Sequence, residues 1–341
     1  MKNHDARETS SLSPAAPGFE LRGVSKTFGW RRKTVLTDVN ATIPGGRVYG
    51  LIGRNGAGKT TLLRGLAGQL RMKGEVTSEA RPVWDNEAVL DQLILAGPDA
   101  AWPEDVEVRH LFAVGRSRWA TWDEGFARQL IEDFQLDTTQ PLKKMSRGQK
   151  SAVSIVLGLA AQCPITLLDE PYLGLDVQNR DIFYRHLLAD LQRNPRTLII
   201  STHHVHDVEK ILDAVILLDG GIITGVEGLE AVTERVVELS GTSGAVESFL
   251  ARLGVGPGSL LVDATGPGIR RAVLDLQGLA ASEAPMETKQ FSRTAPLMSM
   301  DRVSHLAQGA DVRVGRVDLE QAVLALTGRD AVGAGDRVHN S

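Results

Sequence analysis

Residues 53–60 are the part of the sequence whose chemistry is most clearly defined. They read Gly-Arg-Asn-Gly-Ala-Gly-Lys-Thr and match the pattern G-x-x-x-x-G-K-[ST] of phosphate-binding loops in full. In such a loop the glycines let backbone N–H groups converge on phosphate oxygens, and the following helix adds its partial positive charge. Lys59 is placed to contact the β- and γ-phosphates, and the Thr60 hydroxyl to bind Mg²⁺. The loop predicts a site for ATP or GTP with Mg²⁺.

The segments on either side of this loop fit the same role. Residues 47–53 form an apolar run that predicts a buried strand, and residues 61–67 have the pattern of a helix. A true phosphate-binding loop connects a strand to a helix in this way. The alternative is a glycine-rich turn before a helix, with no role in binding.

A second group of candidate residues follows another apolar segment. Residues 165–168 predict a strand that ends in Asp169-Glu170-Pro171. Asp169 is expected in the Mg²⁺ shell, and Glu170 is expected to accept a proton from the attacking water or to orient it. The alternative is an acidic turn at the end of a strand. With the phosphate-binding loop, this acidic pair predicts nucleotide hydrolysis.

The elements that must position these residues follow an alternating order. Strands are predicted at 19–24, 34–43, 93–96, 165–168 and 197–200, and helices at 108–119, 123–134, 148–161 and 177–192. Strands that alternate with helices imply a largely parallel sheet with helices on both faces. Residues 213–225, with two glycines at the centre, predict a closing hairpin.

The character of the chain changes after residue 227. Glycines become frequent, and the helical patches at 245–253 and 319–326 are short. This pattern predicts a small α+β appendage over residues 227–328. The polar ends of the chain, residues 1–18 and 329–341, are expected to be disordered.

Composition limits the classes of function. The chain has 341 residues, 42% of them hydrophobic and 23% charged, and a net charge of −4. These values are typical of a soluble globular protein with two domains, or one domain and an appendage. The negative charge argues against a surface for nucleic acid, so no nucleic-acid partner is expected.

The single cysteine and one uncharged stretch bear on location. Cys163 cannot form a disulfide within the chain, which fits a reducing cytoplasm, and is expected in the core. Residues 151–168 carry no charge and imitate a membrane span, but Gly158, Gln162 and Pro164 divide them into a helix, a turn and a strand. The charged first residues precede no apolar run, so no signal peptide is expected.

Further motifs resemble those of the ATP-binding cassette (ABC) family, in that family's order. They are Val24-Ser-Lys-Thr-Phe28, like the segment whose aromatic residue stacks on adenine; Met145-Ser-Arg-Gly-Gln149, like the signature sequence; Leu173-Gly-Leu-Asp176, like the D-loop; and Ser201-Thr202-His203, like the switch histidine. With the two motifs above, they cover roughly residues 19–225. The chain is identified as a member of this family.

The resemblance implies a fold. The expected architecture is an α/β P-loop ATP-binding cassette over residues 19–226, with a mixed, mostly parallel sheet, an antiparallel β subdomain and a helical subdomain at about residues 100–160. The α+β appendage would follow it.

The resemblance also assigns roles to individual residues. The nucleotide-binding residues would be Phe28, Gly53, Asn55, Gly56, Ala57, Gly58, Lys59, Thr60, Thr61, Ser146, Gly148 and Gln149; the Mg²⁺ ligands Thr60 and Asp169; and the catalytic residues Lys59, Glu170 and His203. The signature residues would complete the ATP site of the opposite protomer. His203 would contact the γ-phosphate and sense its loss.

The implied function is the ATPase subunit of an ABC transporter. It would dimerise head to tail, with itself or with a second cassette, and act on a separate integral-membrane permease from the cytoplasmic face. Residues 317–328 resemble the C-terminal segment of bacterial ATPases that power exporters. The alternatives are a non-transport ABC ATPase of DNA repair or translation, and a regulatory cassette with little turnover. Nothing in the sequence indicates the cargo.

Two positions depart from the family's pattern. Arg147 stands in the signature where glycine is commoner, and the loop after residues 93–96 lacks the family's glutamine. Pro98 or Asp99 occupies that position, and Gln92 lies before the strand, where it cannot substitute. Asp99 could contribute to the Mg²⁺ shell or be a plain solvated carboxylate.

Overall fold

The computed structural model describes residues 16–29, 33–100, 102–203, 205–256, 258–282 and 298–328. The strands are β1 (Phe19–Phe28), β2 (Lys33–Ile43), β3 (Val48–Ile52), β4 (Lys73–Ser78), β5 (Arg81–Pro82), β6 (Leu93–Ala96), β7 (Ile165–Asp169), β8 (Thr197–Thr202), β9 (Ala214–Asp219), β10 (Ile222–Gly228), β11 (Val236–Gly241), β12 (Leu260–Gly266), β13 (Ile269–Asp275) and β14 (Val312–Arg316). The ends expected to be disordered lie outside the described residues, apart from residues 16–18.

The helices predicted from the sequence are found to within one or two residues. The helices of the described residues are α1 (Lys59–Leu66), α2 (Glu87–Leu90), α3 (Val108–Arg118), α4 (Glu124–Asp133), α5 (Arg147–Ala160), α6 (Val177–Arg193), α7 (Val205–Val208), α8 (Leu229–Arg235), α9 (Ser243–Arg252), α10 (Leu276–Ser282), α11 (Met300–Leu306) and α12 (Leu319–Leu326). Of these, α2, α7, α8, α10 and α11 were not predicted. Short 3₁₀ turns lie at Leu142–Lys144 and Glu209–Ile211.

The central sheet has six strands in the order β10-β9-β3-β8-β7-β6. All neighbours are parallel except β9 and β10, which form the predicted closing hairpin. β3 is buried along its whole length, as expected for a parallel strand covered on both faces. Because parallel strands end at the same edge, the segments that follow β3, β6, β7 and β8 meet there.

A second, antiparallel sheet stands beside the phosphate-binding loop. Its order is β2-β1-β4-β5, and the hairpin of β4 and β5 was not anticipated from the sequence. The loop packs against β2: a Cβ atom at Gly58 would lie 3.0 Å from Leu36 Cδ2 and 3.2 Å from the Val35 carbonyl oxygen. The antiparallel β subdomain of the prediction is therefore present.

The helical subdomain consists of α3, α4 and α5. Its helices bury apolar side chains in the same core as one face of the central sheet. The uncharged stretch is the predicted combination, since it comprises most of α5, a turn and β7. Among the described residues, no helix is long and apolar enough to cross a membrane.

The appendage is α+β, as predicted. Its antiparallel sheet has the order β12-β13-β11-β14. α9, α10 and α11 share one apolar cluster with this sheet, and α8 and α12 belong to the core that continues into the cassette. α12 contacts α7, the short helix that follows His203 in the chain.

Candidate functional site

The phosphate-binding loop lies between β3 and α1 and requires its glycines. Gly56 and Gly58 have φ angles of +84° and +107°, in a region that favours glycine. At Gly53 a Cβ atom would lie 2.2 Å from the Leu218 carbonyl oxygen. The remaining predicted residues of this segment occupy the loop and the first turn of α1: Asn55, Ala57, Lys59, Thr60 and Thr61.

The ammonium group of Lys59 is buried beneath the loop, with the residue only 6% exposed. Nζ donates a hydrogen bond of 2.8 Å to the Gly53 carbonyl oxygen and lies 3.9 Å from Glu170 Oε1. Burial lowers the pKa of Lys59, while the charges of Glu170 and Asp169 act in the opposite direction. A cation held here has a strong electrostatic attraction for a phosphate group.

The acidic pair is fixed by a residue of the neighbouring strand. Ser201 Oγ donates a hydrogen bond of 2.6 Å to Asp169 Oδ1 and accepts one of 2.9 Å from the Glu170 backbone N–H. Asp169 and Ser201 are paired in the parallel register of β7 and β8. Glu170 has a φ of +46°, a conformation that costs a non-glycine residue about 1–3 kcal/mol and persists only where surrounding contacts impose it.

The carboxylate of Glu170 lies between two basic side chains. Its Oε2 is 3.1 Å from His203 Nδ1, and its Oε1 faces Lys59. The segment that carries His203 is tied to the acidic loop because the Tyr172 hydroxyl donates a hydrogen bond to Thr202 Oγ1. The structure therefore brings Lys59, Glu170 and His203 together as one cluster.

This cluster borders a cavity of about 560 Å³. Thr60, Asp169 and Glu170 line one side, and Gly97, Asp99 and Arg147 line another. The cavity thus brings together a hydroxyl, at the end of the phosphate-binding loop, and a carboxylate that could hold Mg²⁺.

Of the signature residues, Arg147 lines this cavity, whereas Ser146, Gly148 and Gln149 of the same chain do not. Ser146 caps α5: its Oγ accepts a hydrogen bond from the Gln149 N–H, and the Gln149 side chain accepts one from the Ser146 N–H. Gly148 is packed against the D-loop, because a Cβ atom there would lie 2.5 Å from the Gly174 carbonyl oxygen. The predicted helix N-terminus is present at this position.

Phe28 is exposed at the end of β1 and does not line the cavity either. The Lys26 ammonium lies 5.3 Å from the centroid of its ring. An aromatic face of this kind could accept a base, but in this structure Lys26 already contacts the ring.

The loop after β6 contacts both the end of β7 and α5. The Gly97 carbonyl oxygen accepts a hydrogen bond of 2.7 Å from Ser154 Oγ, and a Cβ atom at Gly97 would lie 2.6 Å from the Asp169 carbonyl oxygen. Asp99 Oδ2 accepts a bond of 3.1 Å from Arg147 Nη2. Gln92 instead donates to the Ala88 carbonyl oxygen, so it does not replace the missing glutamine.

Sequence reasoning missed Ser201, Ser154 and Tyr172. A signal for Ser201 was present, since it ends an apolar segment next in order to the one that ends in Asp169. Parallel neighbours place such residues side by side. No sequence signal identified Ser154 or Tyr172, whose partners depend on how the helices dock.

Comparison with known proteins decides the family. The family model described as ABC transporter matches residues 36–173. The Nod factor export ATP-binding protein I of Burkholderia lata is 32% identical over 218 residues, which cover 61% of this chain and 69% of that protein. The chain belongs to the ABC transporter ATP-binding proteins. It is therefore an ATPase subunit of a transporter, as the motifs predicted.

Other ABC relatives and structures extend this comparison. The arabinose import ATP-binding protein AraG of Ralstonia nicotianae is 31% identical over 232 residues, 64% of this chain and 44% of that protein. A solved dimeric ATP-binding cassette in a post-hydrolysis state, bound to ADP and Pi, matches with a TM-score of 0.54 and 21% identity over 62% of this chain and 98% of that one. The latter likeness shows the cassette fold.

The bridging position of Ser201 leads to a prediction for this ABC ATPase. Ser201→Ala removes the partner of both Asp169 Oδ1 and the Glu170 N–H, so we expect the rate of ATP hydrolysis to fall about 10- to 100-fold, the range seen when groups that orient ligands are removed. Steady-state ATPase assays across a Mg²⁺ titration measure this. Ser201→Thr keeps the hydroxyl and serves as the matched control. Equal rates for the alanine variant and the wild type would contradict the role.

Proposed function

We propose that this ABC ATPase powers an exporter, working as a head-to-tail dimer on a separate integral-membrane permease. The observation that carries its catalytic part is the placement of Glu170 between Lys59 and His203 at the phosphate-binding loop. Export is supported by the 32% identity to the Nod factor export protein and by the resemblance of residues 317–328 to exporter ATPases. Its place would be the cytoplasmic face of the membrane.

The residues present fit ATP with Mg²⁺. Among the described residues, nothing lies within 4 Å of the Cβ position at Gly56, so the backbone N–H groups of the loop are open to a phosphate there. Thr60 and Asp169 would hold Mg²⁺ with the phosphates, since hydroxyl, carboxylate and phosphate oxygens are its usual ligands. When bound, the ion would neutralise charge on the triphosphate and polarise it for attack.

The roles of the charged side chains follow from their positions. Lys59 would turn from the Gly53 carbonyl oxygen towards the β- and γ-phosphates, which offer it a full negative charge. Glu170 would then orient the attacking water and accept its proton. His203, held beside Glu170, would contact the γ-phosphate and respond to its release.

The dimer is proposed because one chain does not gather all the predicted groups. Ser146, Gly148 and Gln149, at the start of α5, do not line the cavity that Thr60 and Asp169 line, although Arg147 does. A second protomer in head-to-tail arrangement would bring its own α5 N-terminus to the γ-phosphate, where free N–H groups and the helix dipole favour negative charge. The partner could be a second copy or a related cassette.

A permease would dock beside the loop after β6. An apolar groove there is lined by Leu90, Leu95, Trp102 and Trp119, and Leu95 and Trp102 also line the nucleotide cavity. A helix seated in this groove would contact residues that also border the ATP site, which would couple hydrolysis to transport.

Two other functions are less well supported. A non-transport ABC ATPase of DNA repair is disfavoured because the α-helices of the described residues between Lys59 and Ser146 are only the short α1 to α4, with no long coiled coil. A regulatory cassette with little turnover is disfavoured because Lys59, Glu170 and His203 are all present and adjacent.

Lys59 and Glu170 should have separable roles. Lys59→Ala should abolish ATP binding, since its charge offsets that of the triphosphate. Glu170→Gln should retain binding but lose hydrolysis by at least about a hundredfold, because the amide cannot accept the proton. Nucleotide-binding titrations and steady-state assays measure the two effects. Near wild-type hydrolysis by Glu170→Gln would remove Glu170 from the mechanism.

ATP should drive dimerisation. Glu170→Gln with Mg-ATP should form a dimer that sedimentation velocity resolves from the monomer, since bound ATP is not turned over. Ser146→Arg in that background should prevent it by placing bulk and positive charge against the opposite phosphate loop. An unchanged monomer fraction for this chain with and without ATP would reject the homodimer and leave a heterodimer, tested by mixing with the second cassette.

The transport assignment is tested through the partner. A tagged Glu170→Gln chain, purified with ATP from detergent-solubilised membranes of its own cells, should retain an integral-membrane protein with several apolar segments of about 20 residues. Lys59→Ala is the control for nucleotide-dependent retention. In inverted vesicles that contain this permease, the cytoplasmic face is outside, so an exporter should move its cargo into the vesicle when ATP is supplied. Retention of ribosomal or DNA-bound proteins instead would favour the non-transport function.

A further inference from the structure

The two positions that depart from the family's pattern contact each other. Asp99 stands in the loop that lacks glutamine, Arg147 stands in the signature, and their side chains form an ion pair of 3.1 Å. We propose that this pair positions the N-terminus of α5 against the edge that carries Asp169, so that Asp99 acts through Arg147 and not as a Mg²⁺ ligand. The proposal rests on the proposed role of the α5 N-terminus.

The loop that carries Asp99 is already fixed at its other end. Gly97 packs against the backbone of Asp169 so closely that any side chain would collide with it. Its carbonyl oxygen accepts the hydrogen bond of buried Ser154, two turns along α5 from Arg147. A movement of the end of β7 at Asp169 would therefore move this loop. The loop in turn contacts α5 at two places, Ser154 and Arg147.

A second buried contact ties α5 to the D-loop. Ser151 Oγ donates a hydrogen bond of 2.6 Å to the Leu173 carbonyl oxygen. The bonds of Ser151 and Ser154 fix the middle of α5, whereas the pair of Asp99 and Arg147 acts at its first turn. Both members of the pair are exposed and line the cavity beside Glu170, whereas the hydroxyl donors of the other two contacts, Ser151 and Ser154, are buried.

The helix dipole explains why Arg147 needs a partner. Arg147 is the first residue of α5, where the helix end is already positive and a further cation is unfavourable. The carboxylate of Asp99 compensates both the guanidinium and the helix end. Lys150, one turn further on, is matched in the same way by Glu104 at 3.3 Å.

This arrangement disfavours Asp99 as a metal ligand. Its Oδ2 already accepts a charged hydrogen bond, and Mg²⁺ bound to the same carboxylate would place a second cation beside Arg147 and the positive helix end. A positioning residue differs from a ligand in one testable respect. Its charge can be exchanged with that of its partner.

The test is a charge swap in the full-length chain. Asp99→Arg and Arg147→Asp each place like charges together, and each should lower kcat for ATP about fivefold, the upper end of the range for loss of one exposed ion pair. KM for ATP should stay within about twofold, because the phosphate loop is untouched. The double variant Asp99→Arg/Arg147→Asp restores the pair and should recover kcat to within about twofold of wild type.

A matched control is the exposed pair of Lys143 and Asp105 in the same subdomain. Its members are 51% and 83% exposed, close to the 57% and 75% of Arg147 and Asp99. Lys143→Glu should leave kcat within about twofold of wild type. Thermal unfolding of every variant identifies misfolding. If a charge reversal does not fold, the neutral variants Asp99→Asn and Arg147→Gln replace it. Each of these changes alone, and both together, should lower kcat about equally, because each breaks the same ion pair.

The outcomes of this test distinguish a positioning role of Asp99 from a role as a metal ligand. The proposal is overturned if kcat of the double variant is no higher than that of Asp99→Arg. It is also overturned if Asp99→Arg raises the Mg²⁺ concentration for half-maximal activity and the double variant does not reverse this rise, since that result marks Asp99 as a metal ligand. The assay uses ATP hydrolysis by the isolated chain. Failure to retain a permease would therefore reject the transport function and leave this proposal standing.

Discussion

The site is organised around one buried positive charge, the ammonium group of Lys59. Removing a cation from water is unfavourable unless nearby groups replace its hydration, and here a backbone carbonyl oxygen and the carboxylate of Glu170 do so. These partners are weaker than a triphosphate, which carries several negative charges. The loop is thus stable without nucleotide but retains a strong preference for it. Burial strengthens the attraction of Lys59 for phosphate, and the carboxylate of Glu170 offsets part of the cost of removing the ammonium group from water.

The same carboxylate limits what the site can do without nucleotide. Glu170 faces both Lys59 and His203, so in this arrangement its charge is shared between basic groups and is not directed at a water molecule. A phosphate group that takes over Lys59 would free one carboxylate oxygen for that task. Binding and activation are then linked by charge balance, and the left-handed backbone of Glu170, fixed by Ser201, keeps the carboxylate within reach of each partner.

The sequence predicted the parts of the molecule whose physics is local. The phosphate loop, the strand before Asp169 and the start of α5 depend on steric limits, apolar patterns and one-turn hydrogen bonds, and all three are found within one residue of where they were predicted. The fold followed from strand and helix order because parallel strands need helical crossovers. The short hairpin of β4 and β5 was missed because its few residues carry little apolar pattern and its turn uses Glu79 and Ala80 at positive φ without glycine.

Contacts between distant segments could not be read from sequence, and they change how the departures from the family pattern are understood. Considered singly, the missing glutamine and the arginine in the signature are two unrelated departures from the family pattern. In the folded chain, Asp99 of the loop after β6 and Arg147 of α5 form an ion pair, and the arginine lies at a helix end where it would be unfavourable alone. Residues so placed constrain each other, because changing one leaves the other with an uncompensated charge. A motif comparison scores each position separately and therefore loses the information that the pair carries together.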